Sequence, residues 1–455
     1  MESVGLKSGM SLQEKWFIEE KAKLSPSKDR RAKRQYLHFD ERITNLTPER
    51  ARLVWDTTEV AKHPFYPFIR FVKKTARKRR IKGTRKNRTT IKERPIDYAA
   101  HFDALIYSWY ATLLSEHYER CVREAGIGQC VIAYRSLGER GGKNNNVDFA
   151  LEVFDFIKKH PDYLVAAFDI KKFYERINHR LLKIVWREVL GVPELPPDHY
   201  NVFKGIITSR LVSIETLRKV FKSGGKRTRI CTPDEFKSRV VGGGLLQGRT
   251  IGLGIPQGSP ISCVLSNIYM FPLDKALEDA VERVGGLYRR YSDDIIISVP
   301  KEAMNKCVAI LEEAVKERDL ALNQEKTEKR HFIYDGGHLV SIDSLINVPK
   351  PLQYLGMEFD GEEVSLRHAG LGRFQRRAAQ AVRGVAIWAR KKDRPLPKNT
   401  LLKKFTRKGK ENYLAYADRA RHKANSRAIK AQTAEYKSAK RLKRKIEETT
   451  KKLNP

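Results

Sequence analysis

Short apolar runs that stop at an acid set the pattern in the middle of this chain. Tyr163 to Ile170 reads Tyr-Leu-Val-Ala-Ala-Phe-Asp-Ile, and the polar pair Lys171–Lys172 follows. A run of that length bounded by charge predicts a buried strand with Asp169 at its edge, followed by a helix from Asn178. Ile295, Ile296 and Ile297 form a second β-branched run, entered through Leu287 to Arg290, and predict a β-hairpin with Asp293 and Asp294 at its tip. Between them, Gly252-Leu-Gly-Ile-Pro-Gln-Gly-Ser-Pro-Ile-Ser262 predicts a stiff turn ahead of a helix over Cys263 to Leu273.

Helical periodicity frames these strands. Ser11-Leu-Gln-Glu-Lys-Trp-Phe predicts a capped amphipathic helix, and Ser25 to Arg31 a basic linker. Ala104 to Glu119 repeats apolar positions at helical spacing, with Tyr107, Trp109 and Tyr110 expected in the core. Leu371, Phe374, Ala378, Val382, Val385 and Trp388 fall on one face of another helix. Gly126 to Arg135 predicts a strand, Gly138 to Asn146 a loop capping a helix from Val147, and Lys219 to Gly252 a hairpin-rich insertion. Strands and helices in this mixture predict an α+β fold.

The acids change the picture. Two adjacent carboxylates repel, and burying either one uncompensated costs several kcal/mol. Asp293–Asp294 therefore reads either as turn chemistry or as a pair carrying a divalent metal. Asp169 likewise reads as the cap of the next helix or as a third carboxylate of the same site. Magnesium favours a few carboxylates completed by substrate phosphates, so three Asp and a triphosphate suit two-metal phosphoryl transfer.

Charge names the class of partner. Of 455 residues, 90 are Lys or Arg and 54 are Asp or Glu, for a net charge of +36. That excess points to an extended polyanion, hence nucleic acid. Twelve Lys/Arg against a single acid lie between Lys73 and Arg94, and from Gly361 to Pro455 there are 28 Lys/Arg against 8 Asp/Glu. The five cysteines show neither disulfide nor zinc spacing and read as reduced thiols. The first residues lack an apolar signal core and no run reaches membrane-spanning length, so a cytoplasmic protein without a membrane partner is expected.

Phe168-Asp-Ile-Lys-Lys-Phe-Tyr174, Gly254-Ile-Pro-Gln-Gly-Ser-Pro-Ile-Ser262 and Tyr291-Ser-Asp-Asp294 resemble motifs A, B and C of reverse transcriptases, in family order. Asn323-Gln-Glu-Lys-Thr-Glu328 resembles motif D, and Leu352-Gln-Tyr-Leu-Gly-Met-Glu-Phe359 the primer-grip motif E. The resemblance covers roughly 91–361 and is strongest to the bacterial branch of group II intron, retron and phage-defence enzymes. Arg34-Gln-Tyr-Leu-His-Phe-Asp40 resembles a segment ahead of the fingers in the defence-associated group, and an aromatic staple onto the next domain explains it equally. The Val-Thr-Gly triplet and Asn-Ala-x-x-His box of retron enzymes are missing, and Ser292 stands where Ala is usual.

The resemblance implies a right-hand polymerase divided into an N-terminal extension (1–62), fingers (63–161), palm (162–205 and 252–360) around an insertion (206–251), and a basic helical thumb with tail (361–455). It implies two Mg²⁺ ions, replaceable by Mn²⁺, on Asp169, Ile170, Asp293 and Asp294, with Lys326 as general acid toward pyrophosphate. Lys92, Arg94, Phe173, Tyr174, Gln257 and Gly258 would bind the incoming dNTP, with Tyr174 excluding the ribose 2′-hydroxyl. Arg135 takes the place of a fingers arginine, and Tyr354, Leu355 and Gly356 would place the primer. The implied partners are an RNA template, the DNA product and dNTPs. Three functions compete: a host-encoded reverse transcriptase using a structured non-coding RNA in antiphage defence, a group II intron-type maturase, and a non-catalytic RNA-binding scaffold. Intron RNA or a separate structured RNA beside the gene would separate the first two, and intact carboxylates argue against the third.

Overall fold

A computed structural model describes residues 9–24, 36–80, 87–135, 145–208, 210–221, 228–248, 250–392, 398–407, 409, 412–434, 444 and 448. The basic linker 25–31, the loop 138–144 and most of a last helix expected from the sequence over 435–452 lie outside them. The chain divides into two compact units: Met1–Tyr134, Ile170–Leu277 and Ile310–Leu322 in the first, and Arg135–Asp169, Glu278–Ala309 and Asn323–Pro455 in the second.

The first unit is built around the long helix His101–Glu124, in which Tyr107, Trp109 and Tyr110 are buried. The helix Leu12–Leu24 begins with a reciprocal cap: Glu14 N–H donates to Ser11 Oγ at 3.2 Å and Ser11 N–H to Glu14 Oε2 at 2.8 Å. Its Trp16 packs edge-on to Trp109 at 5.8 Å and Trp55 at 5.9 Å. Tyr36 to Asp40 clamps the start of the long helix. Tyr36 stacks on His101 at 4.6 Å and donates its hydroxyl to Ala99 O, while Phe102 N–H donates to Asp40 Oδ2 at 2.9 Å. This is the aromatic staple.

The basic run that follows forms a hairpin, Phe68–Arg80 paired antiparallel with Asn87–Tyr98, with Leu211–Ser213 added in parallel on its other side. Arg70 and Asp97 are register partners joined by two bonds of 2.8 and 2.9 Å. Asp97 is 2% exposed, so the pair fixes a buried carboxylate within the hairpin. Two expectations fail in this unit. Residues 126–135 form turns and bends around a single bridge residue, Val131, instead of a strand, with Gly126 at φ +71° and Tyr134 at φ +61° near its ends. The described part of the expected hairpin-rich insertion combines a helical stretch with turns: Thr232 caps Pro233–Glu235, which continues as a π-helix over Phe236–Val241 with Phe236 packed on Phe39 at 4.7 Å, and Gln247 bridges antiparallel to Leu211.

The second unit carries a six-stranded antiparallel sheet. Its strands lie in the order Leu287–Tyr291, Asp294–Val299, Leu164–Asp169, Glu328–Asp335, His338–Asp343 and Val348–Pro349. The helix Asn146–Lys159, capped by the reciprocal pair Asn145 and Asp148, buries Val153, Phe154 and Ile157 in the same core. Phe154 stacks on Phe359 at 4.8 Å, tying in the small sheet Leu352–Tyr354, Met357–Phe359 and Val364–Leu366.

Helices follow at His368–Lys392, Lys398–Phe405, Tyr413–Ala424 and Arg427–Thr433. Phe374 stacks on Tyr413 at 5.2 Å, and Phe374, Val382, Leu401, Phe405 and Leu414 make a separate core. Trp388, expected on the buried face, is 45% exposed, and Ala386 and Ala389 take the inner positions near it. Among the described residues, no helix is long and apolar enough to cross a membrane.

His38 offers a test of the staple. Burial, then the neighbouring His101 charge, pushes its imidazole down from 6.5 to about 3. The folded state thus holds it neutral, and stability fully present above about pH 6.5 is lost as the pH falls toward 3. His38→Gln is expected to melt below the native protein at pH 8, with the difference shrinking by pH 5. A difference independent of pH would contradict this burial.

Candidate active site

The carboxylates are placed by strand register in the second unit. Asp169 lies directly opposite Asp294 on the adjacent strand, so their side chains leave the same face of the sheet. The hairpin preceding Asp294 closes on the pair Tyr291–Asp294 through the two-residue loop Ser292–Asp293. The tip is therefore Ser292–Asp293, and Asp294 opens the returning strand. Ser292 takes φ +61°, a position hairpin turns of this kind reserve for glycine and that costs a side chain about 1–2 kcal/mol. Arg290, fully buried, donates Nη1 to Ser292 O at 3.2 Å and holds the turn from beneath.

Like charges crowd here. Asp294 keeps an exposed edge, yet the protein packed around it, then Asp293 and Asp169, push its carboxyl up from 3.8 to about 6, while Lys326 and Arg367 pull the other way. Asp169 has a cation of its own: Lys326 Nζ donates to Oδ1 at 2.6 Å and to Oδ2 at 2.5 Å. Asn323 adds a side-chain bond to Oδ2 at 3.2 Å and a main-chain bond to Asp169 O at 2.7 Å.

The donor set, hard carboxylate oxygens under mutual repulsion, suits a hard divalent cation. Among the described residues, however, no three acidic, His or Cys side chains are gathered into a ready ligand shell. Ile170 buries its side chain, leaving only its main-chain oxygen chemically able to ligate.

Motif E is also in this unit. Tyr354 is 4% exposed and belongs to the core, with its phenol pushed up by burial. Leu355 and Gly356 form the hairpin tip with φ +44° and +88°, and Gly356 is exposed. Asn146 Nδ2 donates to Leu355 O at 2.8 Å, fixing that tip. The exposed part of this hairpin is thus its turn, while the Tyr354 ring belongs to the core.

The expected nucleotide-contacting residues fall in the first unit, and internal contacts tie them together. Lys92 and Arg94 lie two apart on the strand Asn87–Tyr98 and share one face, opposite Thr75 and Lys73. Asp97 N–H donates to Gln257 O at 2.9 Å, and a Cβ on Gly258, at φ +125°, would approach Ile96 Cγ2 to 3.0 Å. The glycine lets the turn press onto the strand. Gly254, at φ +87°, does the same against Glu175 O, while Ile255 N–H donates to Tyr174 O at 2.8 Å. Phe173 is buried at 5.5 Å from the Tyr174 ring. Burial, then Cys263, pushes the Tyr174 phenol up, and it hydrogen-bonds to Ser266 and Tyr134.

Sequence reasoning passed over Asn323, Arg290, Tyr134 and Arg367. Only Asn323 carried a signal, heading the same motif as Lys326. Arg290 acts on its own turn, two residues along, while Tyr134 and Arg367 act through tertiary neighbours that no spacing announces.

Residues 149–359 match the profile of the family described as reverse transcriptase (RNA-dependent DNA polymerase). This segment is similar to reverse transcriptase domains, and the mixed α/β fold agrees with the expected class. No curated protein matches the chain.

Among solved structures, apo telomerase of Candida tropicalis truncated from its C-terminal domain aligns with TM-score 0.42 and 13% identity over 68% of this chain and 58% of that one. Apo telomerase of Candida tropicalis aligns with TM-score 0.40 and 14% identity over 89% and 66%. Telomerase of Candida albicans in complex with a fragment of telomeric RNA aligns with TM-score 0.38 and 9% identity over 86% and 61%. The chain spans less than two thirds of the length of each of these three.

The raised Asp294 carboxyl has a thermodynamic consequence. The fold holds this proton more tightly than the unfolded chain does, so stability present below about pH 4 is lost as the pH rises through about 6. With divalent ions chelated, Asp294→Asn should melt above the native protein at pH 8, and the gain should vanish near pH 4. Equal melting shifts at both pH values would show that Asp294 is not under this strain.

Proposed function

We propose that this chain is a cytoplasmic RNA-directed DNA polymerase that uses two Mg²⁺ ions to copy a structured non-coding RNA into DNA in antiphage defence. One observation carries the chemistry: within the reverse transcriptase domain, Asp169 and Asp294 oppose each other on adjacent strands, with Asp293 in the turn beside them. A retired polymerase serving only as a scaffold gains nothing from that repulsion. The net charge of +36 supports a nucleic-acid partner. The defence role rests on the Arg34–Asp40 resemblance and on the missing retron signatures.

Asp169, Asp293 and Asp294, with the main-chain oxygen of Ile170, would hold the metal. Bound divalent ions supply charge neutralisation at the attacking 3′-oxygen and the departing pyrophosphate. The other roles belong to side chains. Lys92 and Arg94 bind the triphosphate from one strand face, Arg94 through a planar, bidentate guanidinium. Tyr174 closes the space a ribose 2′-hydroxyl would need, with Phe173 packed behind it. Gln257 and Gly258 present a flat turn to the nascent base pair. Lys326 donates a proton to pyrophosphate, and the Leu355–Gly356 tip steadies the primer strand.

Two measurements test this reading. Asp293→Asn should lower primer extension on an RNA template by about 10²-fold or more while RNA affinity stays within about twofold; undiminished extension would remove the catalytic assignment. Tyr174→Val should raise ribonucleotide incorporation relative to dNTPs by about tenfold or more. Unchanged sugar selection would place the gate on another residue.

A further inference from the structure

We propose that Lys326 is the resident counter-ion of Asp169 and competes with a divalent cation for it, so that cation binding is what releases the Lys326 ammonium. The contact is specific. Both carboxylate oxygens are engaged, at 2.6 and 2.5 Å, by one ammonium group, which leaves Asp169 without a charged face for a second cation. Asn323 fixes the geometry from both ends: its amide donates to Asp169 O, its side chain donates to Oδ2, and its carbonyl accepts from Lys326 N–H at 2.9 Å. Ammonium and carboxylate thus meet across one short turn, Gln324–Lys326, anchored to the strand that carries Asp169.

The two partners differ in how easily they leave. The Asp169 side chain is 17% exposed, held at its strand end, while that of Lys326 is 47% exposed on a flexible stem. A half-exposed ion pair is a weak lock, so a doubly charged ion with phosphate or water oxygens to complete its shell outcompetes it. Lys326 therefore neutralises the crowded carboxylates when metal is absent and becomes available only when metal is present. The competition is a binding property, and only the use made of the released ammonium rests on the polymerase reading.

Mn²⁺ binding to the full-length protein, followed by the electron paramagnetic resonance of free Mn²⁺, tests the inference without any turnover. Lys326→Gln should tighten the Asp169-dependent site by about fivefold. Lys326→Arg, which keeps the charge, should not tighten it, and Arg367→Gln, which removes a charge near Asp294 but none from Asp169, should change it by less than half as much. In the native protein, saturating Mn²⁺ should increase acylation of the Lys326 amine by an N-hydroxysuccinimide ester, read by peptide mass spectrometry.

Unchanged or weaker Mn²⁺ binding by Lys326→Gln would overturn the proposal, as would labelling of Lys326 that ignores Mn²⁺. An equal gain from Arg367→Gln would also overturn it, reducing the effect to general electrostatics. Loss of extension in Asp293→Asn with no gain in Lys326→Gln would leave the polymerase reading standing and this inference fallen. The converse pattern would separate them the other way.

Discussion

Asp169 and Asp294 sit opposite one another on neighbouring antiparallel strands, a placement that like charges resist. The repulsion is contained by local means. Lys326 and Asn323 bind Asp169, Arg367 lies within electrostatic reach of Asp294, and the apolar run Ile295 to Val299 anchors the strand beneath them. The turn carrying Asp293 adds backbone strain at Ser292, countered by the buried guanidinium of Arg290. The remaining repulsion and the strain at Ser292 cost folding free energy, part of which a bound divalent cation would offset.

The first unit solves a different problem, bringing residues far apart in sequence onto a rigid support. The Arg70–Asp97 pair locks the strand bearing Lys92 and Arg94, and Asp97 uses its main chain to hold the Gln257 turn. Gly254 and Gly258 are required there because their backbones approach within contact distance of other main chain and adopt positive φ. Tyr174 is fixed at its main chain by Ile255 and at its hydroxyl by Ser266 and Tyr134. The steric gate proposed for Tyr174 would need such bracing, since a ring free to rotate would make room.

Much of this was legible before any coordinates. The strand ending in Asp169 and the strand from Asp294 through Ile297 follow from apolar runs too short for helices and bounded by charge. Local polarity misled where tertiary contacts decide. The charge density between Lys73 and Arg94 disfavours a strand by composition, yet Phe68–Arg80 and Asn87–Tyr98 pair antiparallel, since cross-strand hydrogen bonds offset that cost. Tyr354 reads as a contact residue of its motif and is buried, because the short strand Leu352–Tyr354 must give its alternate side chains to the core. Trp388 continues a helical stripe that ends sooner than the periodicity suggests, with alanines packing where the helix runs close to its neighbours.

The order of the acids, the turn between them, the strand and helix periods and the basic charge belong to the sequence, because each is a local or additive property. Register belongs to the tertiary structure. Only strand pairing sets Asp169 against Asp294, and only the fold brings Lys326, 157 residues along the chain, onto both oxygens of Asp169. Such pairings depend on hydrogen bonds and packing among distant segments, a sum over contacts that no single stretch of sequence contains.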